Sequence, residues 1–129
     1  MEDRSRPEDD LTRWMGIAWD DAPTLRLTIR PELMNAHGML SGVIAYTLVD
    51  YSMGSALWAQ VTEDESIATV NIAVNYLRTA RAGEVMCRST LDRRTRSTGA
   101  LRSEVVHEDT GNLLLTAVGT YAIFPRRRG

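Results

Sequence analysis

The sequence predicts an α+β fold in which a curved antiparallel sheet wraps around one long central helix. Three observations lead to this prediction. Residues 41–60 form a helix-length segment in which Asp50 is the one charged side chain. Segments that alternate between apolar and polar residues stand before and after it, as strands do. Because a helix without a charged stripe must be buried nearly all round, the strands are expected to form one sheet curved around it.

The chain before the helix predicts a tail, a short helix and a first strand. Residues 1–10 are charged and polar and are interpreted as a flexible N-terminal tail. Asp10 is a candidate cap for a short helix that extends through Trp14. Residues 24–30 alternate, which indicates a strand with one solvated face. Pro31 ends this strand, and a loop leads to the central helix.

Four strand-like segments follow the helix. The first is expected to place its apolar residues on one face, namely Ala68, Val70, Ile72, Val74 and Tyr76. Its other face is expected to be more polar, with Thr69, Asn71, Ala73 and Asn75. The next three are residues 84–92, 100–108 and 113–124, and a strong hairpin signal at residues 109–112 separates the last two. This order predicts a four-stranded meander.

The composition is that of an ordinary globular domain, assigned to residues 11–124, with a basic C-terminal tail at residues 125–129. The formal net charge of -2 argues against nucleic acid as the main partner, because such proteins usually carry a basic excess. The single cysteine, Cys87, cannot form an internal disulfide, which favours a reducing compartment. The N-terminus has no apolar signal segment, so a cytoplasmic protein is expected.

Neither a membrane span nor a metal site is expected. A central Asp50 would cost on the order of 3 kcal/mol in a bilayer, and Ser52, Gly54 and Ser55 dilute the apolar character further. No cluster of histidine, cysteine and aspartate stands at metal-ligand spacing. His37 is expected to be exposed or to stabilise its loop.

Asp50 is the first candidate functional residue. A carboxylate in the middle of an apolar helix is costly unless hydrogen-bond donors surround it. Carboxylates held in this way are enriched in active sites. A buried structural aspartate, bonded to a neighbouring hydroxyl or to the backbone, produces the same pattern, so both interpretations stand at this point.

The start of the central helix is the second candidate. Ser41 is a plausible N-cap, and the backbone N–H groups of Ser41 and Gly42 lie at the positive end of the helix dipole, where an oxyanion or a phosphate can bind. An ordinary capped helix start is the alternative. Gly42 and Asp50 are about 12 Å apart along the helix axis. If both act on one reacting atom, the site must combine two antiparallel helices of a two-fold dimer.

The segment around the helix start resembles a known family. Thioesterases of the phenylacetate-degradation (PaaI) type, within the hotdog superfamily, carry the pattern N-x-x-G-x-x-H-G-G and an Asp nine residues after the His. The chain fills this spacing with Asn35-Ala36-His37-Gly38-Met39-Leu40-Ser41-Gly42-Val43 and then Asp50. Four of the motif positions match, Asn35, Gly38, Gly42 and Asp50. Ser41 replaces the His, and Val43 replaces the last Gly. Residues 68–78 also resemble the strand after the helix in that family.

The resemblance implies a hotdog-fold thioesterase that hydrolyses an acyl-CoA to a free acid and CoA. The Gly42 N–H would polarise the thioester carbonyl, and Asn35 would position the substrate or the water. Asp50 of a neighbouring subunit would act as general base, or as a nucleophile through a mixed anhydride. Thr69 matches a position at which a hydroxyl orients the attacking water. No cofactor is expected beyond the CoA of the substrate.

The substrate contacts and the assembly are further expectations. Three residues at the helix start would border the substrate, Gly38, Ser41 and Val43. CoA carries three phosphate groups, and three arginines are candidates to bind them, Arg78, Arg81 and Arg94. A solvated turn would explain these arginines equally well. The expected partner is an acyl-CoA, and the expected assembly is a homodimer or a dimer of dimers.

Two other functions fit the sequence. A non-catalytic acyl-CoA-binding hotdog protein would explain why Ser41 stands in place of the family His. A hotdog hydratase or dehydratase acting on enoyl thioesters would need an acid–base pair, for which His37 is the one histidine near the helix. The thioesterase is the leading interpretation, because the Asn, Gly and Asp positions of the family motif match.

Overall fold

The computed structural model describes residues 9–127. The helices are α1 at Asp10–Met15 and α2 at Gly42–Trp58, and a short 3-10 turn lies at Pro31–Leu33. The strands are β1 at Ala18–Trp19, β2 at Leu25–Thr28, β3 at Glu65–Tyr76, β4 at Glu84–Arg94, β5 at Thr98–His107 and β6 at Leu113–Pro125. A curled antiparallel sheet packs against the long helix α2, so the predicted α+β hotdog architecture is confirmed.

Within residues 9–127, six strands form one antiparallel sheet in the order β1-β2-β4-β5-β6-β3. The predicted meander is correct for β4, β5 and β6 but wrong for β3, which pairs with β6 instead of β4. Residues 77–83 carry the chain past the ends of β6 and β5 to reach β4. The reason for the error is physical, because alternation indicates a strand but does not specify its partner. β3 therefore lies at an edge of the sheet.

The concave face of the sheet covers one side of α2. The buried helix residues are Ala45, Leu48, Val49, Ser52, Met53, Ser55 and Leu57. Gly119 of β6 allows the helix to come close, because a Cβ there would lie 2.6 Å from the sulfur of Met53. Complete burial of a Leu or Met side chain contributes about 1.5–3 kcal/mol. This side of the helix therefore supplies much of the hydrophobic stabilisation of the fold.

The opposite side of α2 is largely left open by the sheet, which reaches it at Asp50 through side chains of β3 and β6. Val43 is 72% exposed and Tyr46 is 36% exposed, and Asp50, Gly54 and Trp58 further along are half-buried. The expectation that the helix is buried nearly all round is therefore wrong for a single chain. The sheet curves around one side of the helix only, and the open side carries no charge except that of Asp50.

Helix α1 is capped at both ends. The Asp9 carboxylate accepts a hydrogen bond from the Thr12 N–H at 2.8 Å, so the cap stands one residue before the predicted Asp10. Gly16 follows the helix with φ +79°, a left-handed conformation that glycine adopts without strain. The Arg30 guanidinium donates to the Met15 carbonyl at 2.7 Å, which satisfies one carbonyl of the last turn.

The predicted tails coincide only in part with the described residues. Residues 1–8 of the N-terminal tail and residues 128–129 of the C-terminal tail lie outside them. Pro125 is the last residue of β6, and the Arg126 N–H donates to the Asp64 carbonyl at 2.7 Å. Between residues 9 and 127, no helix is long and apolar enough to cross a membrane.

Candidate active site

The Asp50 carboxylate is half-buried on the open side of α2, and two hydroxyl groups hold it. The Thr69 hydroxyl of β3 donates to Oδ1 at 2.7 Å. The Tyr121 hydroxyl of β6 donates to the same oxygen at 2.5 Å and also lies 2.9 Å from the Asp50 main-chain carbonyl oxygen. The expected donors around this carboxylate are therefore present, and both come from the sheet.

A β-bulge turns Thr69 towards the helix. Thr69 stands opposite Tyr121 in the β3–β6 ladder, but the next pair is Asn71 with Thr120, so Val70 has no partner on β6. The extra residue reverses the alternation, and bulges often re-aim a side chain in this way next to active sites. Thr69 and Ile72 consequently both face α2.

The predicted faces of β3 are therefore wrong on one side of the bulge. Ile72 and Val74 pack against the core as predicted, and the Tyr76 hydroxyl reaches the helix start. Val70 was predicted to share their face, but it is the bulged residue and is 63% exposed. Thr69 was predicted to share the opposite face with Asn71. The regular alternation of apolar and polar residues along β3 cannot reveal a bulge that inserts one extra residue into the strand pairing.

Tyr121 is the residue at this candidate site that sequence reasoning missed. It is 2% exposed, and burial, together with its hydrogen bond to Asp50, raises the pKa of its hydroxyl. The hydroxyl therefore keeps its proton and acts as a donor. A signal was available: Tyr121 alternates with apolar inward residues of β6, and a buried tyrosine hydroxyl needs a polar partner.

An apolar cavity opens beside this carboxylate. It has a volume of about 380 Å³. Its polar end consists of Asp50, Thr69 and Tyr121. The remaining lining residues are Tyr51, Gly54, Trp58, Ile67 and Ala68. The arrangement presents one anionic group to the end of a pocket that is otherwise aromatic and aliphatic.

The start of α2 lies in a second cavity. Ser41 is the N-cap, and its hydroxyl accepts a hydrogen bond from the Val43 N–H at 3.2 Å. Gly42 is the first helical residue, where the N–H has no carbonyl partner within the helix. The Tyr76 hydroxyl donates to the Gly42 carbonyl at 2.7 Å, and a Cβ on Gly42 would come within 3.3 Å of the Tyr76 ring. This close approach favours glycine here.

Asn35 shapes the loop that leads to this helix start. Its side-chain oxygen accepts hydrogen bonds from the N–H groups of His37 at 2.9 Å and Met39 at 3.2 Å. Gly38 has φ +74°, which strongly favours glycine. The loop holds Asn35 at the second cavity, of about 200 Å³, which Gly42 and Arg78 also line. The side chain of His37 is exposed.

The other two candidate arginines lie apart from each other. Arg81 donates to the His37 carbonyl at 3.1 Å and lines a third cavity of about 340 Å³. Arg94 donates to the Gln60 carbonyl at 2.7 Å and pairs with Glu65 at 2.5 Å. It therefore closes the loop after α2 and lines none of the cavities described above. Its role as a substrate ligand stays a prediction.

The structure thus groups the candidates into two sets. Asn35, Gly42 and Arg78 meet at the start of α2, and Asp50 and Thr69 meet at its middle. Among residues 9–127, no three His, Cys, Asp or Glu side chains converge on a position that could hold a metal ion.

Comparisons with known proteins agree with this architecture. The family model of the thioesterase superfamily matches residues 37–113. A Bacillus halodurans protein solved with CoA is 20% identical, with a TM-score of 0.85 over 91% of this chain and 77% of that chain. A thioesterase mutant from Pseudomonas aeruginosa is 21% identical, with a TM-score of 0.83 over 92% of this chain and 88% of that chain.

A phenylacetic acid degradation-related protein of Ralstonia eutropha is 24% identical, with a TM-score of 0.77 over 90% of this chain and 91% of that chain. By sequence, no curated protein is a significant match. The family resemblance found in the motif is thus confirmed. Since the family model matches more than half of this chain, the chain belongs to the thioesterase superfamily.

Proposed function

We propose that the protein hydrolyses an acyl-CoA thioester to a free acid and CoA, in a site built by two copies of the chain. The observation that carries the proposal is the Asp50 carboxylate, held by two hydroxyls at the end of an apolar cavity on the open side of α2. Membership of the thioesterase superfamily supports the reaction type. The solved relative that contains CoA supports the substrate class.

The need for two copies follows from distance. Gly42 and Asp50 are about 12 Å apart along one helix, too far to contact the same carbonyl group. A two-fold axis that sets two α2 helices side by side and antiparallel would bring Gly42 of one copy to Asp50 of the other. The side chains available for this contact include Val43, 72% exposed, and Tyr46, 36% exposed. Their burial would contribute to association.

The chemistry uses the two ends of this shared site. The Gly42 N–H, at the positive end of the helix dipole, donates to the thioester oxygen and stabilises the oxyanion. Asp50 accepts a proton from water, whose oxygen adds to the carbonyl carbon as the carbonyl electron pair moves to oxygen. Collapse of the adduct expels the CoA thiolate, which takes up that proton. In the alternative route, the carboxylate adds directly to the carbonyl carbon, and the adduct expels the CoA thiolate to leave a mixed anhydride. Water then cleaves the anhydride to the free acid and the Asp50 carboxyl group, whose proton passes to the thiolate.

The cavity beside Asp50 is the proposed acyl site. Its volume of about 380 Å³ lies near the lower end of the range of about 300–1,000 Å³ for small-molecule sites. Trp58, Ile67 and Ala68 line it. An uncharged, mainly apolar acyl group of modest size fits these walls, whereas a second carboxylate on the acyl chain would find no cationic partner among the lining residues between positions 9 and 127.

The cavities at the helix start are the proposed CoA site. The cavity at Gly42 and the cavity at Arg81 share Thr79, Ala80 and Leu114, so they adjoin each other. A pantetheine arm leaving Gly42 could follow this path. Arg78 lies in the first cavity and Arg81 in the second, where their guanidinium groups could pair with phosphates. The proposal needs no cofactor beyond the CoA of the substrate.

A non-catalytic acyl-CoA-binding protein is the second candidate. The observation that favours it is the motif change at the helix start, where Ser41 caps the helix and the Asn35 oxygen is held by backbone N–H groups. A hydratase receives less support, because His37 does not line the cavity at Asp50. Measuring both CoA binding and CoA release separates the first two functions.

The test is thiol release from a panel of acyl-CoAs by the wild type and by Asp50→Asn. Loss of a general base lowers turnover by about 10²–10⁴-fold. Asp92→Asn is the matched control, because Asp92 is an exposed carboxylate that pairs with Arg102 on the sheet at 2.8 Å. Full turnover by folded Asp50→Asn contradicts the proposal. Tight binding of acyl-CoA without release by the wild type supports the binding protein instead.

A further inference from the structure

We propose that Tyr121 is a positioning residue which, with Thr69, anchors Oδ1 of Asp50 and thereby leaves Oδ2 as the oxygen that reacts. The inference rests on the proposed thioesterase function, which it deepens. Thr69 is a site residue that the family resemblance already implies. Tyr121 belongs to no motif, and its role follows from the geometry of the carboxylate alone.

The two oxygens of Asp50 have different surroundings. Oδ1 accepts hydrogen bonds at 2.7 Å from Thr69 and at 2.5 Å from Tyr121. Within residues 9–127, no hydrogen bond reaches Oδ2. Two donors on one oxygen fix the plane of the carboxylate and stabilise negative charge at that oxygen. The lone pairs of Oδ2 stay available for the proton of a water or for the thioester carbon.

The two donors form one rigid unit. Thr69 and Tyr121 face each other across the β3–β6 ladder, and the bulge at Val70 follows immediately. Tyr121 is 2% exposed, so the packing around its ring restricts its movement. Because both hydroxyls are fixed by the sheet, they can hold Asp50 in one orientation while the substrate enters. Such pre-organisation is what a positioned base or nucleophile requires.

Tyr121 is also a donor under all conditions in which an enzyme of this kind works. Burial and the bond to Asp50 raise the pKa of its hydroxyl. The other titratable groups near Asp50 among the described residues are Tyr46 and Tyr51 of α2. Free tyrosine loses its proton only near pH 10. The Tyr121 hydroxyl therefore keeps its proton and stays a donor to Asp50 at neutral pH.

The experiment compares Tyr121→Phe with Ser103→Ala. Phenylalanine keeps the buried ring and removes only the hydroxyl. We expect kcat to fall on the order of 10–100-fold with KM nearly unchanged, because the carboxylate loses its orientation. The double variant with Thr69→Val should lose less than the product of the two single effects if they act as one unit.

Ser103→Ala controls for the loss of any buried hydroxyl. Ser103 is 3% exposed and bonds to Ser89 at 2.5 Å, in the sheet and away from the cavities at Asp50 and Gly42. It should lower the melting temperature without changing kcat. Wild-type kcat in folded Tyr121→Phe overturns the inference, as does a change in KM alone. If Asp50→Asn keeps its turnover in the same assay, the proposed function fails instead.

Discussion

The two sides of helix α2 have similar sequences and different surroundings. On the covered side, Leu48, Val49, Met53 and Leu57 are 0% exposed against the sheet. On the open side, Val43 is 72% exposed and residues such as Trp58 are half-buried. One side builds the core of a single chain. The other carries the candidate carboxylate and an apolar surface that a single chain leaves in solvent, so the hydrophobic core and the candidate site lie on different sides of one helix.

The largest effect on stability is expected on the covered side. Leu48→Ala removes a fully buried side chain and leaves a cavity, which costs about 2–5 kcal/mol. Val43→Ala, on the open side, should cost about 0.5 kcal/mol or less in a single chain. Urea unfolding monitored by circular dichroism measures both. Equal losses would mean that the two sides do not differ as described.

A charge introduced on the open side of α2 should lower activity without unfolding the chain. Tyr46→Glu places a carboxylate on the proposed interface and close to Asp50, so we expect the dimer to dissociate and thiol release to fall at least tenfold. The far-UV spectrum should be unchanged. Size-exclusion chromatography with light scattering measures the mass. A dimer that persists at full activity would show that this side of the helix is not the interface.

Val118→Glu is the matched control on the sheet. Val118 is 60% exposed on the convex face, which the proposed helix-to-helix dimer does not use. We expect the active dimer to survive this change. If the wild type is a dimer of dimers that associates through this face, the mass should halve while turnover is kept.

The acyl cavity should widen when a smaller side chain replaces Trp58. Trp58→Ala enlarges the cavity at the end away from Gly42. We expect the ratio of kcat/KM for bulky acyl groups to kcat/KM for small ones to rise about tenfold, because this is the discrimination that one or two methylene groups produce in an apolar pocket. Competition between two acyl-CoAs measures the ratio. An unchanged ratio would place the acyl group elsewhere.

The smallest effect concerns Cys87. Burial raises the pKa of this thiol to about 12, so it stays protonated and protected at assay pH. We expect no reaction of the native protein with a thiol reagent, and reaction only after unfolding. Thiol-release assays can then be read without correction, and rapid labelling of the native protein would contradict the burial.

Sequence reasoning reached the fold and half of the site. The helix-length segment in which Asp50 is the one charged residue predicted the central helix, and the motif spacing placed Asn35 and Gly42 at its start. These features are local, since helix periodicity and loop motifs depend on residues close together in the sequence. The contact of Tyr121 with Asp50 joins residues 71 positions apart, and no local pattern encodes such a pair.

Two of the errors have the same origin. The pairing of β3 with β6 and the bulge at Val70 depend on where strands meet in space. Both alter the site, because they bring Thr69 to Asp50. The open side of α2 was also missed, since an apolar stripe gives no indication of whether its own sheet or a second copy covers it.

The most direct test of the shared site mixes two inactive variants, Asp50→Asn and Gly42→Pro. Proline removes the N–H donor and suits the backbone of the first helical position, since Ser41 before it already has extended backbone at φ -61° and ψ 135°. Its Cβ would lie 3.3 Å from the Tyr76 ring, so circular dichroism must first show that Gly42→Pro is folded. The two variants are unfolded and refolded together so that mixed dimers form. Each mixed dimer then has one intact site, made by Gly42 of the Asp50→Asn chain and Asp50 of the Gly42→Pro chain. Activity should then return to about a quarter of the wild type, since half of the dimers are mixed. No recovery, in a mixture shown to contain mixed dimers, would contradict a site built by two copies.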